Sequence, residues 1–200
     1  MKRGASLVIL MCLVGGIAGC SSLLWAEQDS QLYSPVYGGV GVGMVGMAPD
    51  DLLSEGGIPL CLDAPGSVTI TSVEAVEPSN GMSVVDFAVR YIPLGDVPQG
   101  NGLGGLSTLG LTQVEKSQRV VTNVCDEQSR ANVGLDGPPP EGTQPERVEL
   151  AVTVTAPAVP ASTKALLIRY TDASGDERTT TSAFAIAMCP GQAGDPCDPL

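Results

Sequence analysis

Beyond residue 60 the apolar positions recur every second residue, the spacing of strands with one buried face. A first strand is predicted over 68–77, with Val68 and Ile70 inward and Thr69 and Thr71 outward. Its phase slips near Ser72-Val73, which predicts a bulge. Pro78-Ser79-Asn80-Gly81 is turn chemistry. A second strand is predicted over 83–92, with Val85, Phe87, Val89 and Tyr91 inward and Asp86 and Arg90 outward. A third follows over 118–125, around Val120 and Val124. The cleanest alternation lies over 147–155, with Val148, Leu150, Val152 and Val154 inward and Arg147, Glu149 and Thr153 outward. A fifth strand is predicted over 164–172, with Leu166, Ile168 and Tyr170 inward, and a turn at Ala173-Ser174-Gly175-Asp176. The sixth covers 177–188, with Phe184, Ile186 and Met188 inward.

No segment after residue 26 keeps a helical period for three turns. Strands with one polar face are what antiparallel sheets with a solvated side produce. The expected fold is therefore all-β: an antiparallel two-sheet sandwich, immunoglobulin-like in architecture, of six to seven strands, with a small β-barrel as the alternative. This domain is expected over 61–197, with 198–200 as a tail. Two stretches between strands, 93–117 and 126–145, read as long surface loops, the second holding Pro138-Pro139-Pro140. Leu103, Leu106, Leu109 and Leu111 lie among glycines in the first. A protein or cell-wall partner is expected to dock on these loops. Exchanging 99–111 for a short link is expected to move the melting temperature by only a few degrees.

The N-terminus carries an address. Lys2 and Arg3 precede an uncharged apolar run from Ala5 to Ile17, the layout of a secretory signal. Ile17-Ala18-Gly19-Cys20 resembles the lipobox of bacterial lipoproteins, with Ile17 where that family usually has Leu. The resemblance implies a signal peptide over 1–19, cleavage ahead of Cys20, and a diacylglyceryl group on its thiol. Two acyl chains hold a protein stably on a membrane, where one chain is marginal. The implied location is the extracytoplasmic face of a cell membrane or outer membrane. Residues 20–60 lack sustained periodicity and hold the glycine-rich run Gly38 to Gly43. They are expected to form a flexible tether with a reach of roughly 30–40 Å.

Four cysteines remain after the signal and the lipid site: Cys61, Cys125, Cys189 and Cys197. An even number in an exported domain predicts two disulfides. Either Cys61 pairs with Cys125 and Cys189 with Cys197, or Cys61 with Cys189 and Cys125 with Cys197. The first set is favoured, because the turn between Cys189 and Cys197 folds back locally. Zinc needs closely spaced cysteine pairs, which are absent, and no metal site is expected.

Charge narrows the partners. The chain has 10 basic and 22 acidic residues, a net charge of −12. Removing Lys2 and Arg3 with the signal leaves 8 basic against 22 acidic residues, or −14. Such a surface repels nucleic acid. There is no His, which removes the commonest general base and metal ligand. Gly41, Gly43 and Gly46, and again Gly100, Gly102 and Gly105, match G-x-G-x-x-G, but outside the strand–helix context a dinucleotide site requires. No cofactor and no enzymatic activity are expected. The order of Cys61, V-T-I-T, V-D-F-A-V-R, R-V-V-T-N-V-C-D, E-L-A-V-T-V, L-L-I-R-Y-T-D and the closing M-C resembles small secreted or lipid-anchored proteins of actinobacterial type with no assigned function. The expected function is a binding or structural module. The alternative is extracytoplasmic Cu or Ca²⁺ binding, through Met44 and Met47 or through Asp172, Asp176 and Glu177.

Overall fold

The computed structural model describes residues 30–36, 40–93, 95–96, 98–140, 147–191 and 197. The signal segment, Cys20 and the tail 198–200 lie outside them. Among the described residues the fold is all-β. Its strands are β1 (Leu32–Tyr33), β2 (Gly41–Val45), β3 (Leu52–Pro59), β4 (Cys61–Leu62), β5 (Val68–Val76), β6 (Ser83–Ile92) and β7 (Asn101–Leu103). After β8 (Val120–Val121) comes a short helix, α1 (Glu127–Val133). Then follow β9 (Arg147–Thr155), β10 (Ala161–Thr163), β11 (Ala165–Thr171), β12 (Glu177–Ser182) and β13 (Ala185–Cys189).

Two four-stranded sheets dominate, ordered β6-β9-β3-β7 and β12-β11-β5-β8, with antiparallel neighbours throughout. A three-stranded sheet, β10-β13-β2, and the β1-β4 pair complete the set. Ile58, Leu150 and Val152 from the first sheet meet Ile70, Leu166 and Ile168 from the second, together with Ile186 and Met188 from β13, in one core. Each fully buried aliphatic side chain of this kind contributes about 1.5–3 kcal/mol. The inward positions expected on β5, β9 and β11 are buried as their alternation requires.

Several expectations are corrected. The tether reading fails for residues 30–36 and 40–60, which are built into the domain: β3 lies between β9 and β7, and Leu53 and Ile58 are fully buried. Glycine density hid this segment, because β2 and the Gly56-Gly57 kink blur the period-2 signal. It follows that 61–197 lacks an internal strand of its own sheet and is not the folding unit. Val85, expected inward, is 53% exposed. Val84 opposes Val154 and Asp86 opposes Thr153, so Val85 is the extra residue of a bulge that inverts the phase. On β5 the bulge is at Thr71, since Ile70 opposes Tyr170 and Ser72 opposes Arg169. Only Val120–Val121 of the expected third strand forms ladder; Val124 adds a lone parallel bridge to Leu62. The expected sixth strand is two strands in different sheets, β12 beside β11 and β13 beside β10 and β2.

The 126–145 stretch holds α1, too short to show a period. Asp126 caps it by accepting the Ser129 amide at 2.7 Å, and Gly134 ends it in the left-handed region at φ 74°. The cysteines pair as Cys61–Cys125 and Cys189–Cys197. Closing loops of 64 and 8 residues gives about 4 and about 2.5 kcal/mol in the chain-entropy model. The second bridge lays Cys197 against β2, where a side chain at Gly43 would press into it.

Candidate functional site

The most chemically distinctive place in the fold is a charge cluster on the outer face of the β6-β9-β3-β7 sheet. Arg90 and Glu149, both expected to point into solvent, are 7% and 0% exposed. They are direct cross-strand partners. One Arg90 nitrogen, Nη2, meets Glu149 Oε2 at 2.7 Å; the other, Nη1, donates to the Gln99 carbonyl at 3.0 Å. Glu149 Oε2 also accepts the Gly57 amide at 3.0 Å, and its Oε1 pairs with half-exposed Arg147. Breaking one member of such a buried pair costs about 3–5 kcal/mol, because the other is left uncompensated.

Local backbone geometry makes the room. Gly56 and Gly57 form a bulge in β3, between Glu55 opposite Val152 and Ile58 opposite Leu150. A Cβ on Gly56 would overlap the Arg90 guanidinium, and Gly57 sits at φ +80°. Glycine at both positions is therefore dictated by contact and by conformation.

Residues 98–111 close over the cluster. Expected as a loop, they form a strap. β7 pairs with β3, Gly56 donates to the Gly100 carbonyl at 2.6 Å, and Gly104 donates to the Leu52 carbonyl at 2.7 Å. Ser54 donates its hydroxyl to the Gly104 carbonyl at 2.7 Å and lies the same distance from the Thr153 hydroxyl. A 3-10 turn at 106–109 then lays Leu106 and Leu109 against the sheet, and Leu111 follows; with Ala88 and Ala151 they form a second core. This cover is why Glu149 and Thr153 are buried.

Glu55, in the strand segment paired with Asn101, is 5% exposed, and its Oε2 has no hydrogen-bond partner. Burial pushes its carboxyl up to about 8; Arg90 opposes the rise and Glu149 adds to it. Arg90 gives Nη2 to Glu149 and Nη1 to Gln99, while its buried Nε, like Glu55 Oε2, has no hydrogen-bond partner. The sequence offered a signal for the cluster: opposite charges at matching positions of two strands, and a leucine-rich segment that needed a surface to cover.

A second feature is a surface cavity of about 240 Å³ beside the Cys61–Cys125 bridge, bordered by Pro59, Asn123, Asp126 and Arg147. Asn123 donates to the Leu60 carbonyl at 2.9 Å, while its own Oδ1 lacks a partner.

The residues considered for metals have structural positions. Met47 is buried in the main core and Met44 packs against it. Asp172 Oδ1 accepts the amides of Ser174 and Asp176 at 3.0 Å and the Ser174 hydroxyl, and its Oδ2 faces Arg178 at 2.7 Å. The Ser174 hydroxyl, ahead of the Asp176 amide and Arg178, holds its carboxyl below the usual range. Asp172 therefore braces the β11–β12 hairpin with its own neighbours. Among the described residues, no helix is long and apolar enough to cross a membrane, and no three His, Cys, Asp or Glu converge as a metal site. No protein-family model, curated protein or solved structure matches the chain.

Proposed function

We propose that this chain is an extracytoplasmic lipoprotein, held to its membrane by a diacylglyceryl group on Cys20. In this reading it presents a disulfide-braced, non-catalytic β module of immunoglobulin-like sandwich type to a protein or cell-wall partner. The observation that carries the reading is the pairing of Cys61 with Cys125 and Cys189 with Cys197. Disulfides of this kind persist in oxidising compartments and are rare in the cytosol. The lipobox at Ile17–Cys20 supplies the anchor chemistry. Two observations support contact through 93–117 and 126–145: Leu103 and Val114 are 60% and 80% exposed, and the cavity at Asn123 opens beside α1.

The test is fractionation of cells expressing the parent and Cys20→Ala. The parent is expected in the detergent-phase membrane extract, and the variant unprocessed or released. A variant with the parent's lipidated, shortened form would overturn the reading.

A further inference from the structure

We propose that residues 98–111 are a pH-gated cover, closed while the buried carboxyl of Glu55 is protonated and loosened when that carboxyl ionises.

The cover itself cannot sense pH. Residues 98–111 contain no Asp, Glu, Lys, Arg, Cys, Tyr or His. Whatever titrates must lie beneath or beside them. The groups that act on Glu55 are Arg90 from β6 and Glu149 from β9, with Arg147 held on the far oxygen of Glu149. Asp96 precedes the cover and Glu115 follows it, the latter within the field of Arg90. Arg90 Nη2 and Glu149 Oε2 hold each other, and Glu55 Oε2 and Arg90 Nε are buried atoms of the cluster without a hydrogen-bond partner.

Glu55 is also placed where its charge state acts on the attachment. It pairs with Asn101 of β7, and the neighbouring Gly56 amide holds the Gly100 carbonyl. The Arg90 guanidinium holds the carbonyl of Gln99. Gly100 and Asn101 of the cover thus hang on the β3 segment that carries the unpartnered oxygen, and Gln99 hangs on Arg90 of β6. A carboxylate formed there needs water or a donor. The opening is separation of β3 from β7, an edge strand of three residues with a single partner strand. The carboxyl is held near 8 when covered and has an ordinary value near 4.5 when open. Opening therefore releases a proton, and closure weakens as pH rises between those values. The inference does not depend on lipidation.

The test is amide hydrogen exchange on the full chain from pH 5 to 9.5, corrected for intrinsic rates, comparing the parent with Glu55→Gln. In the parent, protection of 98–111 is expected to fall with pH, by up to about tenfold per unit, and to level off above about 8. Amides of Leu150 and Val152 in β9 are expected to hold, which separates local opening from global unfolding. In Glu55→Gln the slope disappears and the cover stays protected. A flat profile in the parent overturns the proposal whether or not the variant folds, as does an equal slope in both proteins.

Discussion

Arg90 and Glu149 face each other across β6 and β9 with their charged atoms 2.7 Å apart, and Gly56 is the residue that lets them do so. A methyl group at position 56 would occupy the space of the guanidinium. Gly56→Ala is therefore expected to lower stability by about 2–4 kcal/mol, combining overpacking with a disturbed buried pair. Chemical denaturation checks this. Glu149→Leu alone is expected to cost more than Glu149→Leu combined with Arg90→Met, since the double variant leaves no orphaned charge.

The strap is core as well as cover. Leu106, Leu109 and Leu111 are 2%, 4% and 6% exposed. Leu109→Ala is expected to cost about 2–5 kcal/mol, the range for removing a buried leucine. Replacing 99–111 by a short flexible link should lower the melting point far more than the few degrees expected of a solvated loop. A thermal melt showing no change would mean that the strap does not pack on Ala88 and Ala151.

Much of this fold was legible in the chain. The alternation of β5, β6, β9 and β11 located those strands to within a residue or two, and the inward faces of β9 and β11 were read correctly. Two kinds of information were missing. One is the bulge: a single extra residue at Val85 turns an inward position outward, and period-2 reasoning has no means to count it. The other is what covers a polar face. Arg90, Glu149 and Thr153 read as solvent-facing because alternation says which residues share a face, not what lies on it. The candidate site follows from that second omission. Asp172 was legible as the last strand residue before a turn, while its role as the acceptor for Ser174 and Asp176 needed coordinates.

Asp172 has the opposite pH signature to Glu55. Its carboxyl is held below its ordinary value of 3.8 by the Ser174 hydroxyl, with the Asp176 amide and Arg178 assisting. The stabilisation of the hairpin is fully present above that value and is lost as pH falls below it. Asp172→Asn should therefore be destabilising near neutrality and converge on the parent in acid. Urea midpoints at about pH 3 and pH 6 provide the comparison. A constant difference at both would show that the carboxylate charge is not what the turn uses.

The bridges predict a graded response to reduction. Reducing Cys61–Cys125 releases a loop closed over 64 residues and should cost more than reducing Cys189–Cys197, closed over 8. Paired serine variants, Cys61→Ser with Cys125→Ser against Cys189→Ser with Cys197→Ser, should rank in that order in thermal melts. The opposite order would show that fixing Cys197 on β2 matters more than loop length.

Intact-mass spectrometry of the unreduced protein, purified from the cells that make it, reads lipidation and disulfides in one spectrum. The expected chain begins at Cys20, carries a diacylglyceryl group and has no free thiol at Cys61, Cys125, Cys189 or Cys197. A chain that is unlipidated, begins elsewhere, or carries four free thiols would contradict the proposed function.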